Sequence, residues 1–426
     1  MKLLHFLKIN YGYFLFALAV FGSALDTSIG LNFLLLFLLV TLATTFFSKS
    51  TTQIKLPFSQ KVVCLMFAAV YAAFILSEFV TVGFDEEVLS VIVNYSAIGL
   101  LGVVVLSCMR HRITFESISP WIGVIAILYA IIALIEVYSE QTNRVGFGYN
   151  SIPLGMVSVQ LLFWCGCAAL KRDKVSAIVL LGLVSAFWVV FLTGSRMPVV
   201  VSIYLLAIWV LFTKQAARTR IFVVLGCVLI IPVQGILAPD VSNGIFGRFA
   251  ALDFGVMTEI ASETPSGAVA GEAPNVEAVS EAPSVEVPSG ASGMHRAWIW
   301  KAGLDLISQK PWFGWGRDMA LTDRALAAVQ APDHIRTQPH FHNELINISV
   351  RFGVPAAVLL VLSYAGLFWT SLTRHHLLVV FVFLSQLFAL SLSDVIFSHS
   401  VTLSMFVFTV TLLLLYTSPS TTERAN

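Results

Sequence analysis

"LLFWCGCAALKRDKVSAIVLLGLVSAFWVVFLTGSRMPVVVSIYLLAIWVLFTK", Leu161 to Lys214, decides the fold class. It holds apolar runs separated by two short polar breaks. The first break, Lys171 to Lys174, is strongly basic; the second, Thr193 to Arg196, carries a single arginine. A run of ~20 apolar residues spans bilayer hydrocarbon. An alternation of base-rich and base-poor breaks is what successive membrane crossings leave in a sequence.

The pattern extends in both directions. The 426 residues are 58% hydrophobic and only 12% charged, with mean hydropathy +0.87. Soluble domains carry about 25% charged residues, so the chain reads as an all-α polytopic membrane protein. Twelve spans are expected, roughly 11–27, 29–47, 62–82, 88–109, 119–138, 151–170, 175–193, 198–213, 221–238, 353–373, 377–393 and 400–416. The first is read as an uncleaved span because no small-residue cleavage site follows it. Net charge of +1 gives no reason to expect nucleic acid as a partner.

Lysines and arginines set the orientation. One side receives Lys2, Lys8, Lys49, Lys55, Lys61, Arg110, Arg112, Lys171, Arg172, Lys174, Lys214, Arg218, Arg220, Arg374 and Arg424. Short loops on the other side hold Arg144 and Arg196, beside acids such as Asp26, Asp85, Glu86 and Glu87. The first side is therefore expected to be cytoplasmic, with both termini, and the long loop 239–352 extracytoplasmic. The organisation is then spans over 1–238, the loop over 239–352, and spans with a tail over 353–426.

Within the loop, about 258–293 is low complexity. Gly271 to Gly290 reads "GEAPNVEAVSEAPSVEVPSG", which repeats EAP-x-VE and has no aromatic residue. Such a stretch buries too little to offset ordering entropy, so an acidic disordered linker is expected. The remainder, 294–352, reads as folded. "HRAWIWKAGLDLIS", His295 to Ser308, has helical apolar spacing and is stopped by Lys310-Pro311; Trp312, Phe313 and Trp315 follow in a turn. Its tryptophans suit an outer membrane surface. Asn343 to Phe352 reads as a second short helix.

No GxxxxGK[ST] occurs, and the cytoplasmic loops are too short for a nucleotide-binding domain. The five cysteines, Cys64, Cys108, Cys165, Cys167 and Cys227, lie in or beside apolar runs, which excludes a disulfide framework or thiolate zinc site in the loop. Chemistry is expected on the outer face.

Polar clusters map to that face: Arg196 in "LTGSRMPVV"; Arg296 beside His295; His340, His342, Asn343 and Glu344 in "QPHFHNELINISVRFGVPA"; and Asp394 with His399 in "LSLSDVIFSHS". An arginine at a membrane edge also snorkels to lipid phosphates, and a single histidine near a helix start is commonly structural. Together the residue types suggest more. Two guanidiniums can hold a diphosphate and stabilise charge as it leaves. A histidine can take a proton from an attacking hydroxyl, and a carboxylate can orient it. This set fits transfer of a group from a lipid diphosphate to an alcohol, with no cofactor or metal. A metal alternative would use His340, His342 and Glu344 with His334 or His295, but no HExxH or cysteine spacing supports it.

The same stretches resemble the O-antigen ligases of Gram-negative bacteria, within the ligase/polymerase superfamily. They are "LTGSR", "HRAWIWKAGLDLISQKPWFGWG", "HFHNELINISVRFGVPA" and "LSDV". The resemblance implies a C-type glycosyltransferase-like membrane fold in the bacterial inner membrane. It implies transfer of polysaccharide from undecaprenyl diphosphate to a lipid A-core sugar hydroxyl on the periplasmic face, with inversion and without metal. By motif, His342 becomes the base, Arg196 and Arg296 the diphosphate clamp, and Asp394 a supporting carboxylate. His295, His340, Asn343 and Glu344 become substrate-binding candidates. The acidic linker departs from the family pattern. O-antigen polymerase and protein O-oligosaccharyltransferase share this logic. A lipid-linked glycan transporter would instead carry charges near mid-bilayer, whereas Glu78 and Glu136 are expected near outer ends.

Overall fold

In lipid, each backbone N–H and C=O must be satisfied within its own segment, so apolar runs of this kind fold as helices. The computed structural model describes residues 2–25, 27–47, 56–140, 145, 151–171, 175–237, 292–317, 321–328, 340–372 and 376–417. The described residues before the long loop form ten helices: α1 (Lys2–Leu25), α2 (Thr27–Phe47), α3 (Phe58–Val82), α4 (Glu86–Gly99), α5 (Leu101–Arg110), α6 (Phe115–Glu140), α7 (Ser151–Lys171), α8 (Ala177–Leu192), α9 (Arg196–Phe212) and α10 (Ala217–Leu237). Six more are described from position 292 onward, the first three within the long loop: α11 (Ser292–Gln309), α12 (Leu321–Ala328), α13 (Glu344–Phe352), α14 (Val354–Leu372), α15 (Leu377–Ser391) and α16 (Ser400–Tyr416). The described residues contain no strand.

All twelve apolar segments expected to cross the membrane are helical. Five helical stretches are long and apolar enough to do so by length and composition: Phe58–Val82, Glu86–Arg110, Phe115–Ser139, Ser151–Lys171 and Val354–Leu372. Helices α8, α9, α15 and α16 have only 15 to 17 residues. The segment expected as one helix over 88–109 turns at Leu100, where α4 hands over to α5. Pro153, Pro198 and Pro355 sit in the first turns of α7, α9 and α14, where a missing N–H costs nothing.

Helix α7 is central: nearly all of its side chains are buried, as are those of α16. Gln160 of α7 accepts a hydrogen bond from Thr409 of α16. Gln60 of α3 donates to the Leu414 carbonyl at 2.8 Å. Small residues permit a close crossing of α6 and α8. A Cβ on Gly182 of α8 would lie 2.6 Å from Gly123 Cα of α6, so the two backbones touch there.

The segments α11 to α13 form a second, smaller core from Ile299, Ala302, Leu306, Leu321, Ala325, Leu326, Phe341 and Val350. Helix α11 covers the expected 295–308. Helix α12 was not anticipated. The turn after α11 then docks on the end of α13: Trp315 N donates to Val350 O (2.8 Å), Gly316 N to Arg351 O (2.9 Å) and Val354 N to Pro311 O (2.8 Å). This close approach demands glycine. Gly314 and Gly353 have φ of +66° and +84°, and a Cβ on Gly353 would lie 2.2 Å from Trp312 O.

Four contacts fasten this unit to α3 and α4. Ser77 donates to Phe313 O. Arg317 N donates to Glu78 Oε1 (3.2 Å), and its guanidinium donates to Ser90 (2.8 Å). Phe352 stacks on Phe74 with centroids 4.2 Å apart. Glu78, expected near an outer helix end, is fully buried and serves as this anchor. Arg144, His334 and the acidic linker through position 291 lie outside the described residues.

Candidate active site

The stretch before α13 alternates. Phe341 is fully buried in the second core, facing Gly303, where any Cβ would lie 3.0 Å from its ring. The rings of His340 and His342, which flank it, lie 4.3 Å apart. His342 has φ of +47°, a left-handed conformation that costs a non-glycine residue about 1–3 kcal/mol and marks a constrained position. Asn343 then caps α13, its side-chain oxygen accepting from Ile346 N at 3.2 Å.

Helix α13 holds the loop that faces these histidines. Glu344 and Asn347, three residues apart, share one helix face. Glu344 Oε2 accepts from Ile396 N and, at 3.1 Å, from Phe397 N. Asn347 donates to Ser398 Oγ at 2.9 Å. This grip fixes the chain from Ser393 to His399 between α15 and α16. Asp394 lies in it with no solvent exposure.

Three imidazoles meet the Asp394 carboxylate. His340 Nε2 lies 3.3 Å and His342 Nδ1 3.5 Å from Oδ1; His399 Nε2 lies 3.7 Å from Oδ2. Asp394 Oδ1 also accepts from Val395 N at 2.9 Å. Burial alone would raise this carboxyl, but the imidazoles of His342, His399 and His340 gathered around it hold it well below the usual carboxylate range. Asp394 is therefore ionised. Burial drives His340 the opposite way, down to about 3, against the attraction of Asp394. His340 is a neutral ring at physiological pH. Burial raises Glu344 to about 8, opposed by its two backbone hydrogen bonds.

Arg296, near the start of α11, donates from Nη2 to the Ser393 carbonyl at 3.4 Å, one residue from Asp394. It is exposed by surface area, yet crowding of its guanidinium lowers its pKa; Asp394 pulls it back up and the like charge of Arg196 lowers it again. Arg196 opens α9, half-buried behind the Thr193–Ser195 turn. The two arginines are thus near enough to feel each other, and one of them feels Asp394. Two cations, a carboxylate and a cluster of imidazoles on one side of the fold can bind an anionic leaving group and accept a proton.

The expected residues separate into groups. His340, His342, Asp394 and Arg296 converge, with Arg196 coupled to them. Glu344 and Asn343 sit beside the site, one accepting from backbone amides of the loop and the other capping α13. The side chain of His295 lies outside the described ones. His399 joins as a third imidazole on Asp394. Asn347 and Ser398 were missed; the clue was the i, i+3 spacing of Glu344 and Asn347, two polar residues on a helix face otherwise buried. His340, Asp394 and His399 each offer a metal-ligating atom, all within 4.8 Å of one another. This trio differs from the metal alternative of the sequence, because Glu344 is turned onto backbone amides.

A family model described as O-antigen ligase matches residues 181–361. The match takes in Arg196, Arg296 and the segment from His340 to Glu344, and ends before Asp394 and His399. No curated protein matches the sequence.

Proposed function

We propose, for a chain whose residues 181–361 belong to the O-antigen ligase/polymerase superfamily, that it is a membrane glycosyltransferase of ligase type. It moves polysaccharide from undecaprenyl diphosphate to a sugar hydroxyl of lipid A-core. The reaction takes place at the periplasmic face of the bacterial inner membrane, with both chain ends in the cytoplasm. The observation that carries this reading is the contact of His342 Nδ1 with a buried, ionised Asp394 whose neighbour Ser393 is bound by Arg296.

The chemistry follows from that contact. Asp394 accepts from Nδ1–H, which leaves Nε2 as the basic atom of His342. A separation of 3.5 Å is long for a hydrogen bond; such contacts commonly tighten once substrate is bound. Nε2 takes the proton of the acceptor hydroxyl as its oxygen forms a bond to the anomeric carbon. The bond from that carbon to the diphosphate oxygen breaks, and its electron pair leaves on the diphosphate. Arg196 and Arg296 stabilise that charge. Attack opposite the leaving group inverts the anomeric centre. Membrane lipids surround both substrates.

The test is a chromosomal His342→Ala strain with wild-type protein levels. Attachment of long polymer to core should fall by ~10²–10⁴, with lipid-linked polymer accumulating. Near-normal attachment overturns the role of His342. A core carrying one repeat unit identifies a polymerase instead, and lost glycosylation of a secreted protein identifies a protein oligosaccharyltransferase.

A further inference from the structure

Asp394 Oδ2 and His399 Nε2 face each other at 3.7 Å, beyond hydrogen-bond length. Both atoms are buried, and neither has a hydrogen-bond partner among the described residues. A buried donor and acceptor left unmade cost free energy. A small bound group bridging the two atoms would satisfy both.

The geometry identifies its class. A tetrahedral ion with bonds of ~2.0–2.2 Å separates adjacent ligand atoms by roughly 3.3–3.6 Å. His340 Nε2 lies 3.3 Å from Asp394 Oδ1 and His399 Nε2 3.7 Å from Oδ2, so both carboxylate oxygens face the same space, and one ligand atom from each of the three residues falls within 4.8 Å of the others. Two imidazole nitrogens and one carboxylate form a set that Zn²⁺ uses, with a fourth position left open. Mg²⁺ and Ca²⁺ prefer oxygen throughout. Two of the three ligands are almost wholly buried, His340 at 4% and Asp394 at 0% exposure, so they are already desolvated and held in place.

We propose that His340, Asp394 and His399 bind one divalent transition-metal ion of the Zn²⁺ class, and that this ion turns the transferase off by drawing Asp394 away from His342. The inhibitory half rests on the function proposed above; the binding half does not. With its carboxylate engaged by the ion, Asp394 no longer fixes the His342 tautomer. The ion also neutralises the negative charge that faces Arg296.

Calorimetric titration of the detergent-solubilised full-length chain with Zn²⁺ tests the binding. Wild type should take up one ion per chain, and His399→Ala should weaken it by ~10–100-fold or more. His111→Ala, which removes an imidazole paired with Thr41 elsewhere in the bundle, should bind as wild type does. Absence of saturable binding, or equal affinity in His399→Ala, overturns the proposal. Should His399→Ala fail to fold, Co²⁺ added to wild type decides: a tetrahedral ligand-field spectrum displaced by Zn²⁺ supports the site, and an octahedral one removes it. Inhibition is then read as the fraction of each variant's own transfer rate, restored by chelator. Stoichiometric binding without any transferase activity would sink the functional reading and leave the metal site standing. Binding without inhibition of an active enzyme would overturn the switch.

Discussion

Replacing Glu344 tests how the site is held together. Its Oε2 accepts two backbone N–H groups from the loop that carries Asp394, and the residue is 1% exposed. Glu344→Ala orphans both donors. At about 1–3 kcal/mol for each buried unpaired group, the loss is ~2–6 kcal/mol before any cavity is counted. Glu344→Gln keeps an acceptor oxygen of the same shape, and at neutral pH it replaces a side chain that is mostly protonated. Its cost should stay within about 1 kcal/mol.

The same carboxyl makes stability depend on pH. Its folded value, about 8, lies above the ordinary 4.5. The native state therefore holds a proton that the unfolded chain releases. The stabilisation is complete below 4.5 and is lost as pH rises through 8. His340 acts in the opposite sense, being lowered from 6.5 to about 3, and its contribution falls as acid is added below 6.5. Above pH 6.5 Glu344 can be followed without interference from His340. At 1.36 kcal/mol per pH unit, wild type should lose roughly 2 kcal/mol relative to Glu344→Gln between pH 6.5 and 8. Thermal or denaturant unfolding in detergent at several pH values reads the difference, which removes every other titrating group. A flat difference, or a Gln variant as unstable as the Ala variant, would show that Glu344 does not carry the loop as a neutral acid.

Other substitutions separate chemistry from fold. His342→Gly relieves the left-handed strain at φ +47°, so it should be about 1 kcal/mol more stable than His342→Ala while transferring no better; a glycine variant no more stable than the alanine one would show that position 342 stores no strain. Gly353→Ala forces a Cβ against the Trp312 carbonyl at positive φ and should cost about 3 kcal/mol or more, seen as a lower unfolding midpoint and poor folded yield. Arg296→Ala should reduce transfer by ~10²–10³ with the unfolding midpoint little changed, and Arg296→Lys should recover only part of that, since lysine lacks the planar fork; full recovery by lysine would reduce the group to a point charge.

Much of the frame is legible in the sequence because hydropathy reports burial in lipid directly. The twelve apolar segments are all helical, and α11 and α13 fall where their spacing places them. The turn at Leu100 is hidden because both halves of Glu86–Arg110 are equally apolar; the break shows only as a local backbone change. Helix α12 is hidden for the opposite reason. It has eight residues, and its apolar side chains gain meaning only against α11.

The site was half legible, and the illegible half has a physical cause. A buried polar residue in a membrane protein is read by default as functional. Motif match likewise sends Glu344 and Asn343 to the substrate along with His342. Yet a loop joining two short helices brings its own unpaired amides, and these must be satisfied wherever water is scarce. Ile396 and Phe397 are 52 and 53 residues from Glu344, a separation that no local pattern encodes. The distinction between an acid that serves the reaction and one that serves the backbone lies in which atoms it faces. Asp394 presents Oδ2 to an imidazole across a gap, whereas Glu344 presents Oε2 to two amides in contact. On that criterion we assign Asp394 to the proposed chemistry and Glu344 to the scaffold. The corresponding substitutions should therefore diverge: Asp394→Asn should remove activity from a stable protein, and Glu344→Ala should lose activity only as the loop loses its hold.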